Sequence, residues 1–562
     1  MAILQSLMGQ MGKQTGWGSW AWLLGVLGAI ALSLWLGFQQ DLLNPNGWPQ
    51  FWRFVGASLH PDLSAEIVKL TWNATLKTLA YAVCGTCLSL LLGLVGGVLC
   101  SEVWWTAVFH RRTGRSRSLW LGARALLAFP RAIHEMLWGL LFLNLWGLDP
   151  LTAVLAIALP FGAITAKVFS ELLDDTPRQP LLVLLNSGVA PWTAFAYGLF
   201  PLAFLNLLSY AFYRFECSLR SAAVLGIIGA GGLGYEILLS LQSLRYEQLW
   251  TFFYALFALN GCVDFASAGL RRQLGCATRL DLHTGKVGRW RGKGMENGKI
   301  LGLWIGLVGL VTLSFWVVGA DFSKLGSPIV WSRLSAILQS FFPPDLSRSG
   351  ELVGLAGQTV VMAVLAIALA AFGGTLLAFP AAHTLFLPGG LFRPRRDDRG
   401  WGAWLVLLLV RSFLLLCRAI PAPIWALVAL FVLFPGILPG AIGLGLHNLG
   451  ILGRLKAEVV ENLDQRPLEA LKAQGAPSSL VFLYGILPLT LPRFTAYTLY
   501  RWEVCMRETV IVGLVGAGGL GYVLTEQLSS FDYRSLGVTL AVFLGLTFAV
   551  DWLSAVARRS LR

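Results

Sequence analysis

Two stretches of this 562-residue chain carry residue types at a spacing that can cradle a phosphate. Gly229-Ala230-Gly231-Gly232-Leu233-Gly234 and Gly516-Ala517-Gly518-Gly519-Leu520-Gly521 both fit Gly-x-Gly-x-x-Gly, the turn that brings backbone N–H groups against a dinucleotide. That chemistry needs a preceding β-strand, a following soluble helix and an acidic residue further on. Here the flanks are long apolar runs, so close backbone packing or a bend is the better reading, because glycine permits both where a side chain would clash. Charges stand just before each phrase: Arg214, Glu216 and Arg220 in the first, Arg501, Glu503, Arg507 and Glu508 in the second. Charges at membrane depth are expensive and usually face protein or a water-filled cavity. Glu216, Arg220, Glu503, Arg507 and Glu508, with Gly229, Gly231, Gly232, Gly234, Gly516, Gly518, Gly519 and Gly521, are therefore candidates for a translocation path or gate. The rival reading is internal ion pairing that fixes helix positions. In the first reading, Arg220 and Arg507 add positive potential near the outer mouth of the path and favour an anion.

No residue set points to catalysis. The six histidines are scattered without metal-ligand spacing, so no metal site is expected. Neither a nucleophile elbow nor a Walker A sequence is present, and the chain is not expected to hydrolyse ATP. Cys84-Gly-Thr-Cys87 imitates a redox pair but lies inside an apolar run and reads as packing.

The elements that must position these residues are membrane helices. Hydrophobic residues make up 56% of the chain and charged ones 13%, too apolar for a wetted surface. Six apolar runs fill the first half, roughly 22–38, 75–100, 125–146, 151–169, 194–213 and 249–268. Six more follow, at about 301–320, 359–382, 404–434, 437–452, 480–500 and 536–553. The expected fold is all-α integral membrane, with about twelve transmembrane helices, since in lipid a helix satisfies its own backbone. No cleavable signal peptide is expected, and 22–38 reads as a retained span.

The second half repeats the first at an offset of 287 residues, which sets Arg131 on Arg418, Trp138 on Trp425, Glu171 on Glu458, Gly188 on Gly475, Pro201 on Pro488 and Asp264 on Asp551. An even number of spans per half makes this a parallel repeat, both copies facing the same way. The expected domains are a first repeat at 1–268, a polar and basic linker at 269–299 and a second repeat at 300–562. The net charge of +14 is concentrated in loops that fall on one side, including Arg111, Arg112, Arg271, Arg272, Arg393, Arg395, Arg558 and Arg559. By the positive-inside rule both termini and the linker are cytoplasmic, which explains the basic excess without nucleic acid. Arg131 and Arg418 read as anchors at the cytoplasmic starts of matching spans. Asp264 and Asp551 read as structural partners of the arginines near 271 and 558, and the tryptophans near span ends as an interfacial belt.

Two cytoplasmic loops are longer and less basic than the rest, at 170–192 and 455–479. In the second, Pro467 to Gln474 favours a short helix ended by Gly475 and Pro477. Glu469-Ala470-Leu471, three residues, Gly475 and then Leu487-Pro488 resembles the EAA motif of ABC-importer permeases, with Leu471 in place of the second alanine. A finer resemblance, to phosphonate-type permeases, rests on Arg418-Ala419-Ile420-Pro421, on Arg501-Trp502-Glu503 with Arg507-Glu508, and on Gly513-Leu514-Val515-Gly516 running into Gly521-Tyr522. It covers most of 355–562 and is looser over 70–270, where His134 and Glu135 stand for Pro421 and Ala422, Ser221 for Glu508, and Leu182-Val183-Leu184 for the Glu469 triplet.

The resemblance implies a fused permease of the MetI-like fold in a bacterial inner membrane, working by alternating access on phosphonate, phosphite or a related small oxyanion. It implies as partners two ABC ATPase subunits and an extracytoplasmic solute-binding protein. ATP and magnesium belong to the ATPases, and no cofactor is bound by the chain itself. Glu469, Ala470, Leu471, Gly475, Leu487 and Pro488, with Gly188 and Pro201 in the first copy, are the implied ATPase-docking positions. The first loop lacks the acid, so asymmetric coupling is expected. Permeases for methionine, quaternary amines, iron or thiamine remain alternatives, as does an ion-coupled secondary transporter.

Overall fold

A computed structural model describes residues 43–108, 114–274, 297–387, 390–392 and 401–560. The first apolar run, at 22–38, and most of the linker lie outside these residues. Apart from one isolated bridge between Leu43 and Leu433, the described chain is helical. Eight of its helices are long and apolar enough to cross a membrane, and one bent pair passes the same test jointly.

The first repeat supplies α1 (Ala65–Cys100), α2 (Gly114–Ala132), α3 (Glu135–Trp146), α4 (Pro150–Asp174), α5 (Gln179–Asn186), α6 (Phe200–Leu225), α7 (Leu233–Gln242) and α8 (Tyr246–Gln273). Then come α9 (Asn297–Val318) and α10 (Pro328–Ser340). The second repeat returns α1 to α8 as α11 (Ser349–Ala381), α12 (Trp401–Ala419), α13 (Ala422–Ala429), α14 (Ile437–Glu461), α15 (Arg466–Ala473), α16 (Leu487–Gly513), α17 (Gly519–Ser529) and α18 (Tyr533–Ser560). The described residues form two compact units, 53–340 in one and 341–560 with 43–52 in the other. Helix α9, the first apolar run of the second repeat, packs on α1 and adds Val318 to the core built from Ala82, Val154, Ile157 and Leu219.

In each unit one long helix lies along the central one, α1 on α4 and α11 on α14. Between apolar helices in lipid, small residues let backbones approach, and dispersion does the rest. A Cβ on Gly450 of α14 would lie 2.6 Å from the Leu414 carbonyl oxygen of α12, so that crossing is backbone on backbone.

The spans expected at 125–146 and 404–434 are not continuous. Helices α2 and α3 meet at 85°, and α12 and α13 are separate at the matching residues. Pro421 has no N–H to continue the ladder and pushes Ile420 away from the α region. In the first copy the His134 ring does the equivalent work: its Nδ1 accepts from Met136 N at 3.2 Å and caps α3. A tryptophan clamps each break, with Trp138 Nε1 donating to Pro130 O at 3.3 Å and Trp425 Nε1 to Cys417 O at 3.1 Å. Arg131 and Arg418 therefore do not start spans. They sit in the last turns of α2 and α12, where a cation suits the negative end of the helix dipole.

A close helix approach beside each glycine phrase gives a direct test. A Cβ at Gly234 would fall 1.8 Å from the Ala223 carbonyl oxygen, and one at Gly521 would fall 2.8 Å from that of Thr509. Gly521→Ala should cost roughly 1–3 kcal/mol in detergent unfolding and Gly234→Ala at least as much, as overpacking does. Unchanged unfolding midpoints would contradict the packing.

Candidate functional site

Each glycine phrase is a sharp turn that reverses the chain between a long helix and a short one, α6 into α7 and α16 into α17. The turns superimpose residue for residue in their dihedral signs. Gly229, Gly231 and Gly232 have φ of +99°, +84° and +79°, and Gly516, Gly518 and Gly519 have +82°, +78° and +69°. Side chains rarely adopt that region, which is why three glycines recur at one spacing. A threonine on the neighbouring long helix holds each turn: Thr78 Oγ1 accepts from Leu233 N and Thr359 Oγ1 from Leu520 N, both at 2.9 Å. The offset that pairs Leu233 with Leu520 does not pair these threonines, so the repeat alone did not reveal them.

The charges before the turns are paired inside each unit. Arg271 of α8 donates to Glu216 Oε1 at 2.8 Å, and Arg558 of α18 lies 2.6 Å from Glu503 Oε1. All four residues occupy matching positions in the repeats, and Glu216 and Glu503 are buried. Arg507 of α16 approaches Asp551 of α18 at 3.7 Å. Arg220 lies along α6, its Nε 3.4 Å from the Glu216 carbonyl oxygen. Arg220 and Arg507 sit nine residues before the turns, or about 13 Å along a helix. They are thus within the bundle and away from the turn end where an outer mouth was expected.

The inner pair of the network differs between copies in an instructive way. Arg501 donates to Asn448 Oδ1 at 2.8 Å and to Glu508 Oε1 at 2.9 Å, and Asn448 Nδ2 donates to Glu508 Oε2 at 2.9 Å. In the first unit the Asn448 position is Phe161, and the Arg214 guanidinium stacks 3.9 Å from its ring centroid, a cation–π contact. The Glu508 position is Ser221, whose hydroxyl donates at 2.7 Å to Glu135 of α3. The carboxylate has moved from the long helix to its neighbour, where the second unit has Ala422.

At the other end of each unit stands a short helix, α5 or α15, of 8 residues at matching positions. Both end in a Schellman closure. Gly188 N donates to Leu185 O and Val189 N to Leu184 O; Gly475 N donates to Lys472 O and Ala476 N to Leu471 O. The C′ glycines have φ of +80° and +86°, which explains Gly188 and Gly475. Leu181 and Leu468, each 1% exposed, anchor the two helices, and Gly485 leaves room for Leu468, whose Cδ2 a Cβ there would meet at 2.6 Å. Wide π-type turns at Phe195–Leu199 and Val481–Ile486 follow, and Pro201 and Pro488 open α6 and α16. Glu469 and Ala470 are exposed on α15. Their counterparts Leu182 and Val183 are 51% and 63% exposed, so α5 presents an apolar face where α15 presents an acidic one.

No metal-holding group of His, Cys, Asp and Glu occurs among the described residues. Helix bundles of this kind, duplicated in one chain and carrying a surface helix between long spans, define a polytopic membrane protein. The sequence matches the model of the binding-protein-dependent transport system inner membrane component family twice, over residues 104–274 and 402–562, and the chain belongs to that family. It is similar to the phosphate-import permease protein PhnE of Mycolicibacterium smegmatis, 27% identical over 86% of this chain and 84% of that protein. It is also similar to the phosphite transport system permease protein PtxC of Stutzerimonas stutzeri, 30% identical over 48% of this chain and 93% of that protein. No solved structure matches. The chain is a fused, tandem permease of an ABC importer and a multi-pass inner-membrane protein, and its family is one of transport permeases, not enzymes.

The ion pairs offer a measurable coupling. In a double-mutant cycle of Glu503→Gln and Arg558→Gln, unfolding in detergent should give an interaction energy of about 0.5–3 kcal/mol, with the double variant less damaged than the singles predict. Strict additivity would remove the pair from the account.

Proposed function

We propose that this permease imports phosphonate, phosphite or a related small oxyanion by alternating access. An extracytoplasmic binding protein delivers the anion, and two separate ATPase subunits, which hold ATP and magnesium, drive the cycle. The observation that carries this reading is the pair of short helices α5 and α15. Each is anchored by a buried leucine in its first turn, is closed at its C-terminus by a Schellman glycine and exposes its remaining face, as a lever that a cytosolic motor engages must. The names of the relatives, phosphate-import and phosphite permeases, support the substrate class.

In this reading both termini and the 269–299 linker are cytoplasmic, and the repeats 1–268 and 300–562 are two like-facing halves of one pathway. The glycine turns lie toward the outside and act as the gate end of α6 and α16. Glu216, Glu503 and Arg507 hold those helices in register with α8 and α18, Glu508 ties α16 to α14 through Asn448, and Arg220 lies along α6 in the same charged cluster, so that a push on α5 or α15 reaches the turn through one rigid element. The two docking faces differ in chemistry, and the motor binds them unequally.

The experiment is ATP-dependent uptake of phosphite and methylphosphonate in proteoliposomes containing the chain, its binding protein and its ATPase. Uptake that requires all three supports the proposal, and uptake driven by an ion gradient without the ATPase contradicts it. Glu469→Lys should weaken ATPase binding about tenfold, as loss of a close charge pair does, whereas Val183→Ser should change it less. Equal effects would sink the asymmetry.

A further inference from the structure

The two glycine turns are built alike but are not satisfied alike. In the second unit Gln358 Oε1 accepts from Gly519 N at 3.2 Å, one residue before the threonine that holds Leu520 N. In the first unit the residue before Thr78 is Lys77, which has no acceptor to offer. Gly232, the counterpart of Gly519, is buried, and its N–H makes no hydrogen bond among the described residues. The Lys77 ammonium forms no ion pair among them either, although it lies so close to the turn that a Cβ on Gly231 would be 2.8 Å from Nζ. A donor has replaced an acceptor beside a buried donor, and a buried N–H left without a partner is rare and costly.

A cavity of about 100 Å³ opens here, lined by Lys77, Tyr81, Asp149, Thr152, Gly229 and Ala230 among others. That is room for several waters or one small tetrahedral ion. Its acceptors are already organised. Tyr81 Oη donates to Ala230 O at 2.9 Å and Thr152 Oγ1 to Gly147 O at 3.2 Å, which leaves the lone pairs of both hydroxyls. Asp149 caps α4 through Leu151 N at 2.9 Å and is ion-paired with Lys324. Glu236, on the ten-residue helix α7, is the other acid near Lys77, and burial favours its neutral form.

We propose that this cavity is a binding site in the first unit for one singly protonated oxyanion of phosphorus. Its anionic oxygens meet the Lys77 ammonium, and its remaining P–OH donates to Asp149, Tyr81 or Thr152. The second unit, with Gln358, Met362 and Gly436 at the corresponding places, has no such site. Permeation then passes a station in one half only. The proposal rests on the function above and names where along the chain that substrate pauses.

The test is equilibrium binding of radiolabelled phosphate to the solubilised full-length chain without binding protein or ATPase. Saturable binding is expected. Lys77→Gln, which copies the second unit, should weaken it about tenfold or more, and Lys77→Arg should retain most of it. Sulfate, which carries no proton at neutral pH, should compete poorly. Absence of binding, equal binding by Lys77→Gln, or equal competition by sulfate would overturn the site. If Lys77→Gln does not fold, acylation of Lys77 in the natural chain gives the answer: phosphate should protect it, and unprotected modification overturns the proposal. Uptake by the full complex is scored separately, so failure of the transport reading is distinguishable from failure of the site.

Discussion

A turn that breaks a helix in an apolar medium must have its freed backbone groups satisfied by protein, because no water is there to do it. The Gly229–Gly232 and Gly516–Gly519 turns meet that constraint at Leu233 N and Leu520 N with a threonine hydroxyl from the adjacent long helix, and their glycines let α7 and α17 lie against the helices that precede them; at the preceding N–H only the second turn has a side-chain acceptor among the described residues, Gln358. Everything at that end of each unit follows. The long helix must run alongside with its threonine in register, and the first helix of the pair must approach to backbone contact. The segment that opens toward the turn is then tied to α6 or α16 as one piece.

The same economy governs the charges. Burying a carboxylate and a guanidinium is tolerable only if each meets the other, and removing one partner is the costly step. The Glu216–Arg271 and Glu503–Arg558 pairs obey this identically in both units. Where the copies differ, the requirement is met by another route: Asn448 with Glu508 in one, Phe161 with Ser221 and Glu135 in the other. Two fused halves can diverge in this way because each need only balance its own interior. That freedom extends to α5 and α15, one apolar and one acidic, and to the Lys77 cavity.

The sequence made the membrane class, the repeat and the position of α15 legible, since composition, period and the Gly475 closure are local signals. It also located the glycine phrases and the charged residues before them. It did not show that Arg131 and Arg418 end helices, because a proline or a histidine at a bend looks like an interruption within one apolar run. Nor did it show Thr78, Thr359 or Gln358, which come from a helix whose register relative to the turn differs between copies. The ion pairs depended on contacts between residues about 55 positions apart, Glu216 with Arg271 and Glu503 with Arg558, which no spacing rule on one helix predicts.

The central claim is that two like-facing modules present α5 and α15 to the same side of the membrane. Single cysteines at Val183 and Ala470, in a chain whose eight native cysteines are replaced, can be labelled with a membrane-impermeant maleimide in right-side-out and inverted vesicles. The account predicts that both react in inverted vesicles and neither in right-side-out ones. Labelling of either position from the outer side, or of the two positions from opposite sides, would contradict it.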